Sequence, residues 1–131
     1  MHKSIHILLL EDSQADVFLF REALQTAPIS AELTAVLDAE RGVELLHQDD
    51  FQPDLIVVDL NLAFMSGHDF LKECCSIVEG PPCIVFSSSL NEKDREMALE
   101  MGARDYVVKP VELRDYVSMV HGIIERWGPK P

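Results

Sequence analysis

The chain reads as an α/β domain: a doubly wound, parallel, five-stranded sheet in the order 2-1-3-4-5, with helices on both faces. Three observations predict this. Short apolar runs alternate with segments of helical length, giving five β-then-α units in 131 residues. The connections are short and punctuated by Gly, Pro, Asn, Asp or Ser, with no linker, internal repeat or low-complexity stretch. The runs Leu55–Val58 and Cys83–Phe86 are apolar throughout, as strands covered on both faces are. Periodicity does not give the strand order, but 2-1-3-4-5 is a common solution for five such units.

The elements follow in order. Ile5 to Leu10 is the first strand, and Asp12 or Ser13 can cap the helix after it. That helix runs from Gln14 to Ala27 with Val17, Phe20 and Leu24 on one face, and Pro28 stops it. Glu32 to Leu37 is a shorter strand, and Ala39 to His47 a short helix with Val43, Leu45 and Leu46 apolar. The third strand, Asp54 to Asp59, ends on a carboxylate. A third helix is expected from near Gly67 to about Val78, burying Phe70, Leu71, Cys74 and Val78. Cys83 to Phe86 is the fourth strand, followed by Ser87-Ser88-Ser89. Asn91 caps a charged fourth helix that Gly102 ends near Met101. Asp105 to Val108 is the fifth strand, and Val111 to Trp127 the last helix. Helices one and five are expected on one face of the sheet, and two, three and four on the other.

Composition narrows the function. The length fits a single domain, residues 1–131, with a core over about 4–127. No stretch approaches the roughly 18 apolar residues of a membrane span, and no signal peptide is evident. The net charge of −12 argues against nucleic-acid binding and agrees with a site for a hard cation. Three cysteines, two of them adjacent, make no disulfide framework; they read as small core residues in a reducing cytoplasm. The five histidines share no metal-ligand spacing, and no phosphate-cradling glycine loop is present.

The chemistry follows from topology. A parallel sheet delivers the C-terminal ends of its strands to one edge. Strand one brings Glu11 and Asp12, strand three Asp59 and then Asn61, strand four Ser87 and strand five Lys109. In the order 2-1-3-4-5 these strands are neighbours and their residues can converge. Two or three oxygen ligands suit Mg²⁺, which keeps several waters. A lysine and a hydroxyl opposite a carboxylate suit a phosphoryl group on that carboxylate, since phosphoryl transfer needs positioning and charge neutralisation.

These pieces resemble a known family. LLLEDS (8–13), VVDLNLAFMSG (57–67), IVFSSS (84–89) and GARDYVVKP (102–110) are similar, in order and spacing, to the receiver domain of two-component response regulators, with its CheY-like, flavodoxin-like fold. The resemblance covers essentially the whole chain. The opening HILLLEDSQADVFLFREAL also resembles stand-alone receivers, including those paired with bacterial phytochrome kinases. The resemblance implies that Asp59 is the phosphoacceptor. Mg²⁺ would be held by Asp12, Asp59 and the backbone carbonyl of Asn61, with Glu11 helping through water. Ser87 would hydrogen-bond the phosphoryl group and Lys109 would pair with it. Tyr106 would be the aromatic that turns inward on activation, the alternative being a simple edge-strand aromatic. The Lys109-Pro110 peptide bond would be cis. Asn61 and Ser89, two residues past the acceptor and the hydroxyl, would tune dephosphorylation.

The resemblance further implies a cytoplasmic, single-domain response regulator rather than an enzyme, with no output domain. A sensor histidine kinase would supply the phosphoryl group, and a downstream protein would read the surface of helix four, strand five and helix five. In that last helix Leu113, Val117, Val120, Ile124 and Trp127 should face the sheet. Tyr116, Met119 and Ile123 make a second stripe, read either as a broad core face or as a surface for a partner or homodimer. One departure stands out: the family usually has proline where this chain has Ala63, followed by Phe64, so the Asp59–Gly67 loop should be more mobile or let Phe64 pack in its own way. A phosphorylation-independent binding module, and a Mg²⁺-dependent aspartyl phosphotransferase, are the alternative functions.

Overall fold

The computed structural model describes residues 4–63, 70–75 and 80–129. Five parallel strands form one sheet: β1 (Ile5–Leu10), β2 (Ala31–Val36), β3 (Leu55–Asp59), β4 (Cys83–Ser87) and β5 (Asp105–Val108). Their order is β2-β1-β3-β4-β5, as expected from the unit count. The helices are α1 (Gln14–Gln25), α2 (Ala39–Leu46), α3 (Phe70–Cys75), α4 (Glu92–Glu100) and α5 (Leu113–Trp127), and a single unnumbered helical turn covers Leu60–Ala63.

The two-residue period of the strands sorts their side chains into two cores. Leu8, Leu10, Ile56, Val58 and Val85 pack with Ala39 and Leu45 of α2, Phe70, Leu71 and Cys74 of α3, and Ala98 of α4. Ile7, Leu9, Leu55, Val57, Ile84 and Phe86 pack with Phe20, Ala23 and Leu24 of α1, and with Tyr116, Val120, Ile123 and Ile124 of α5. The helices are therefore divided between the faces as the sequence predicts. Both cysteines whose side chains are described, Cys74 and Cys83, are buried.

Two glycines are required by geometry. Gly102 has φ 111°, which turns the chain from α4 into β5 and which a side chain would strain. At Gly42 a Cβ would come within 2.9 Å of both Leu10 Cδ1 and Phe70 Cε2, so its absence lets α2 sit close over β1 and α3.

Several expectations need correction. α1 stops two residues early, at Gln25, where the Thr26 N–H and hydroxyl both donate to the Ala23 carbonyl. β2 is shifted one residue earlier, because the pairing Ile5–Ala31 through Leu10–Val36 sets its register and leaves Leu37 exposed. β4 extends to Ser87, which pairs with Val108. α5 begins at Leu113 rather than Val111; Val111 and Leu113 are exposed. Of the expected sheet-facing stripe of α5, Val120 and Ile124 are buried and Val117 and Trp127 pack partly buried against the same core, while Leu113 is not part of it; Tyr116 and Ile123 are buried and Met119 packs beside them, so the second stripe belongs to a broad core face. The described residues contain no cis peptide bond, so Lys109-Pro110 is trans, the isomer that X–Pro bonds favour by about 0.5–1 kcal/mol. After Asp59 the chain makes a helical turn over Leu60–Ala63, with Leu60 and Leu62 buried. Phe64, Gly67, His68 and Val78 lie outside the described residues, as does His2.

Candidate functional site at the carboxyl edge of the sheet

Among the described residues only three polar or charged side chains are buried: Glu11, Asp59 and Ser87. All three stand where a strand delivers its C-terminal end to one edge. Glu11 follows β1 directly, and its N–H donates to the Val36 carbonyl at 3.0 Å, prolonging the β1–β2 ladder by one bond. Asp59 is the last residue of β3, opposite Phe86 of β4. Ser87 is the next residue of β4, and its carbonyl accepts from the Lys109 N–H at 2.7 Å.

Lys109 joins the edge together. Its Nζ lies 2.7 Å from Glu11 Oε1, 2.7 Å from Asp59 Oδ2 and 3.1 Å from Asp16 Oδ2, and 4.5 Å above the centre of the Phe86 ring. An ammonium has three N–H donors, and three carboxylates take them. Asp59 Oδ1 accepts from the Asn61 N–H at 2.8 Å, which turns the chain back at the end of β3. Glu11 Oε2 accepts from the Ser13 N–H at 3.0 Å. No buried side-chain nitrogen or oxygen among the described residues lacks a partner.

The electrostatics are those of an acid surplus around one cation. Burial pushes the Glu11 carboxyl up to about 7; the Lys109 hydrogen bond and the Ser13 N–H oppose this, and the nearby Asp59 charge adds to it. Burial pulls the Lys109 ammonium down, but hydrogen bonds to Asp59 and Glu11 and the charges of both outweigh it, holding it above the ordinary lysine range. Burial, then the charges of Asp16, Glu11 and Asp59, hold the Tyr116 phenol above its usual range.

A second cluster adjoins the first. The Ser89 N–H donates to Ser87 Oγ at 3.0 Å, and the Ser89 carbonyl accepts from the Tyr106 hydroxyl at 2.9 Å. One backbone unit thus links the buried hydroxyl of β4 to the buried tyrosine of β5. The Ser89 hydroxyl also donates to Asp94 Oδ2 at 2.7 Å and accepts from the Asn91 N–H at 3.1 Å, at the N-terminus of α4.

Of the residues singled out from the sequence, the fold therefore brings Glu11, Asp59 and Lys109 into direct contact and sets Ser87 beside them. Asp12 is exposed. Among the described residues no group of three His, Cys, Asp or Glu side chains is arranged to hold a metal ion by itself. The donor set still fits a hard cation: Glu11 and Asp59 offer buried carboxylate oxygens, Asp12 stands beside Glu11 in the chain, and Mg²⁺ takes few protein ligands and keeps water. Asp16 was missed. The third residue of the helix after cap Ser13 reads as a capping acid, and only the fold reveals that it points to Lys109.

The model of the response regulator receiver domain matches residues 7–121. The chain belongs to this family. It is 35% identical over 131 residues to the response regulator Rcp1 of Synechocystis sp., covering 92% of this chain and 87% of that protein. The phosphorylated cyanobacterial phytochrome response regulator RcpA superposes with a TM-score of 0.83 at 33% identity, covering 97% of this chain and 94% of that one. The Mn²⁺-bound form of Rcp1 gives 0.80 at 33% identity over 97% and 96%. Against the regulatory protein VirG of Agrobacterium tumefaciens the identity is 30% over 115 residues, and the chain spans only 42% of that protein's length. Receivers are signalling proteins that histidine kinases phosphorylate, and they bind Mg²⁺ or Mn²⁺ at an acidic pocket. No helix among the described residues is long and apolar enough to cross a membrane.

Proposed function

We propose that this chain accepts a phosphoryl group on Asp59 from the phosphohistidine of a partner kinase and signals through its α4–β5–α5 surface. The observation that carries this reading is the 2.7 Å bond between Lys109 Nζ and Asp59 Oδ2 at the buried end of the central strand. It leaves one carboxylate both shielded from bulk water and matched to a cation. In the transfer, a carboxylate oxygen of Asp59 forms the new P–O bond while the donor P–N bond breaks and the imidazole leaves with the electron pair. Lys109 neutralises charge on the product, and the Ser87 hydroxyl offers it a hydrogen bond. Glu11, Asp12, Asp59 and the Asn61 carbonyl would hold Mg²⁺, which when bound supplies charge neutralisation to the phosphoryl oxygens.

The response follows from the second cluster. Turning the Ser87 hydroxyl toward a phosphoryl group draws it from the Ser89 N–H. Ser89 also holds Tyr106 through its carbonyl and the start of α4 through its hydroxyl, which contacts Asp94 and Asn91. That helix buries only Ala98 along its length, so shifting it disrupts little packing. A local change of charge at Asp59 thereby biases a two-state surface. The likeness to RcpA and Rcp1 supports a phytochrome-type kinase as the phosphodonor.

Intact-mass measurement tests the acceptor. With a small acyl phosphate and Mg²⁺, wild type should gain one phosphoryl group and Asp59→Asn none. An unlabelled wild type, under conditions that label another receiver, would favour a binding module that works without phosphorylation.

A further inference from the structure

We infer that Asp16 is a positioning residue that occupies the third N–H of Lys109 until a phosphoryl group arrives to take it. The inference rests on Asp59 being the acceptor and deepens that reading.

Asp16 lies in the first turn of α1, three residues after the cap Ser13, whose Oγ accepts the Asp16 N–H at 3.3 Å. An acid at this position ordinarily reaches back to the N–H of the cap residue, closing a capping box. Here Glu11 already takes that N–H at 3.0 Å. The Asp16 carboxylate points instead across the edge of the sheet to Lys109, 93 positions away in the chain. The Asp16 carbonyl meanwhile accepts from the buried Tyr116 hydroxyl at 3.2 Å, which pins this turn of α1 to α5. Backbone and side chain of one residue thus tie α1 to two different parts of the β5–α5 segment.

The three bonds of Lys109 are not equivalent. Those to Glu11 and Asp59 are 2.7 Å, to side chains only 1% and 8% exposed. That to Asp16 is 3.1 Å, to a side chain 25% exposed. Solvent can take over the hydrogen bonds of Asp16 but not those of the other two. When Asp59 carries a phosphoryl group, an added oxygen needs an ammonium N–H, and the Asp16 bond is the one that can be released with least loss. Until then the Asp16 charge both occupies the donor and repels an incoming phosphoryl donor. Asp16 therefore restrains phosphorylation.

The test compares pseudo-first-order phosphorylation rates with acetyl phosphate at saturating Mg²⁺, for wild type, Asp16→Asn, Asp16→Glu and Tyr116→Phe. Removing one partly screened charge a few ångströms from the reacting group should speed Asp16→Asn about fivefold, with the gain shrinking as salt is raised. Asp16→Glu keeps the charge and should return most of the way to wild type. Tyr116→Phe removes the hydroxyl bond to the Asp16 carbonyl while leaving the carboxylate, and should leave the rate unchanged. A labelled wild type with an equal or slower Asp16→Asn rate overturns the inference and leaves the acceptor assignment standing. So does a Tyr116→Phe rate that rises as much as that of Asp16→Asn, because the effect would then be structural. An unlabelled wild type overturns both.

Discussion

Lys109 Nζ and Asp59 Oδ2, fifty positions apart in the chain, lie 2.7 Å from each other at the carboxyl edge of the sheet. Neither side chain is exposed enough for water to replace the bond: Lys109 is 13% and Asp59 8% accessible. The same ammonium also answers Glu11 and Asp16, so much of the charge balance at this edge depends on one residue.

Replacing that residue should expose the surplus. Lys109→Met leaves three carboxylates without their shared cation, and breaking a buried pair by removing one partner typically costs about 3–5 kcal/mol. Urea titration should show a loss of about this size in chelator. Added Mg²⁺ should restore more stability to Lys109→Met than to wild type, because the variant has more unbalanced negative charge for the cation to answer. Equal Mg²⁺ effects in both proteins would count against the acidic edge as the cation site.

Glu11 gives a pH dependence of definite sign. Its carboxyl is raised from 4.5 to about 7 by burial, so in the metal-free protein the contribution of its bound proton is fully present below the unfolded value and is lost as pH rises through about 7. Glu11→Gln removes the ionised form. It should raise stability by on the order of 2 kcal/mol at about pH 8 in chelator, and the gain should largely vanish at about pH 4.5. Melting curves of both proteins at the two pH values check this. A gain that is larger in acid would contradict the burial of an ionisable Glu11.

Tyr106 supplies a prediction for the second cluster. Its hydroxyl donates to the Ser89 carbonyl, so Tyr106→Phe removes the donor while keeping the ring in the core. The cost should be about 1 kcal/mol, seen as a lower denaturation midpoint at constant m-value. The same change should weaken the coupling of Ser87 to α4, detected as a smaller phosphorylation-induced shift in the amide signals of Glu92–Glu100. An undiminished shift would remove Tyr106 from the relay.

The fold was legible because the strands announce themselves locally. Leu55–Val58 and Cys83–Phe86 are short, apolar and rich in β-branched residues, and the punctuation around them is strong. Convergence of Glu11, Asp59, Ser87 and Lys109 followed from topology alone, since a parallel sheet has one carboxyl edge. What escaped depends on tertiary contacts. Ala31 in place of Leu37 at the limits of β2 is a matter of register with β1. Leu113 has the helical spacing of a core residue but lies in the first turn of α5, ahead of the stretch that packs on the sheet. Asp16 has an ordinary local role available as a capping acid, and only the engagement of the Ser13 N–H by Glu11 redirects it to Lys109. Asp12, although adjacent to Glu11, is exposed, because consecutive residues leaving a strand point to different sides.

The most direct test of the central claim is chemical mapping of the acceptor. An aspartyl phosphate is an acyl phosphate, which borohydride reduces to homoserine, marking the residue permanently. After treatment with acetyl phosphate and Mg²⁺, then borohydride, peptide mass spectrometry should find homoserine at position 59 and nowhere else, and none when Mg²⁺ is omitted. Homoserine at Asp12 or Asp16, or labelling independent of Mg²⁺, would contradict the assignment of Asp59 as the phosphoacceptor.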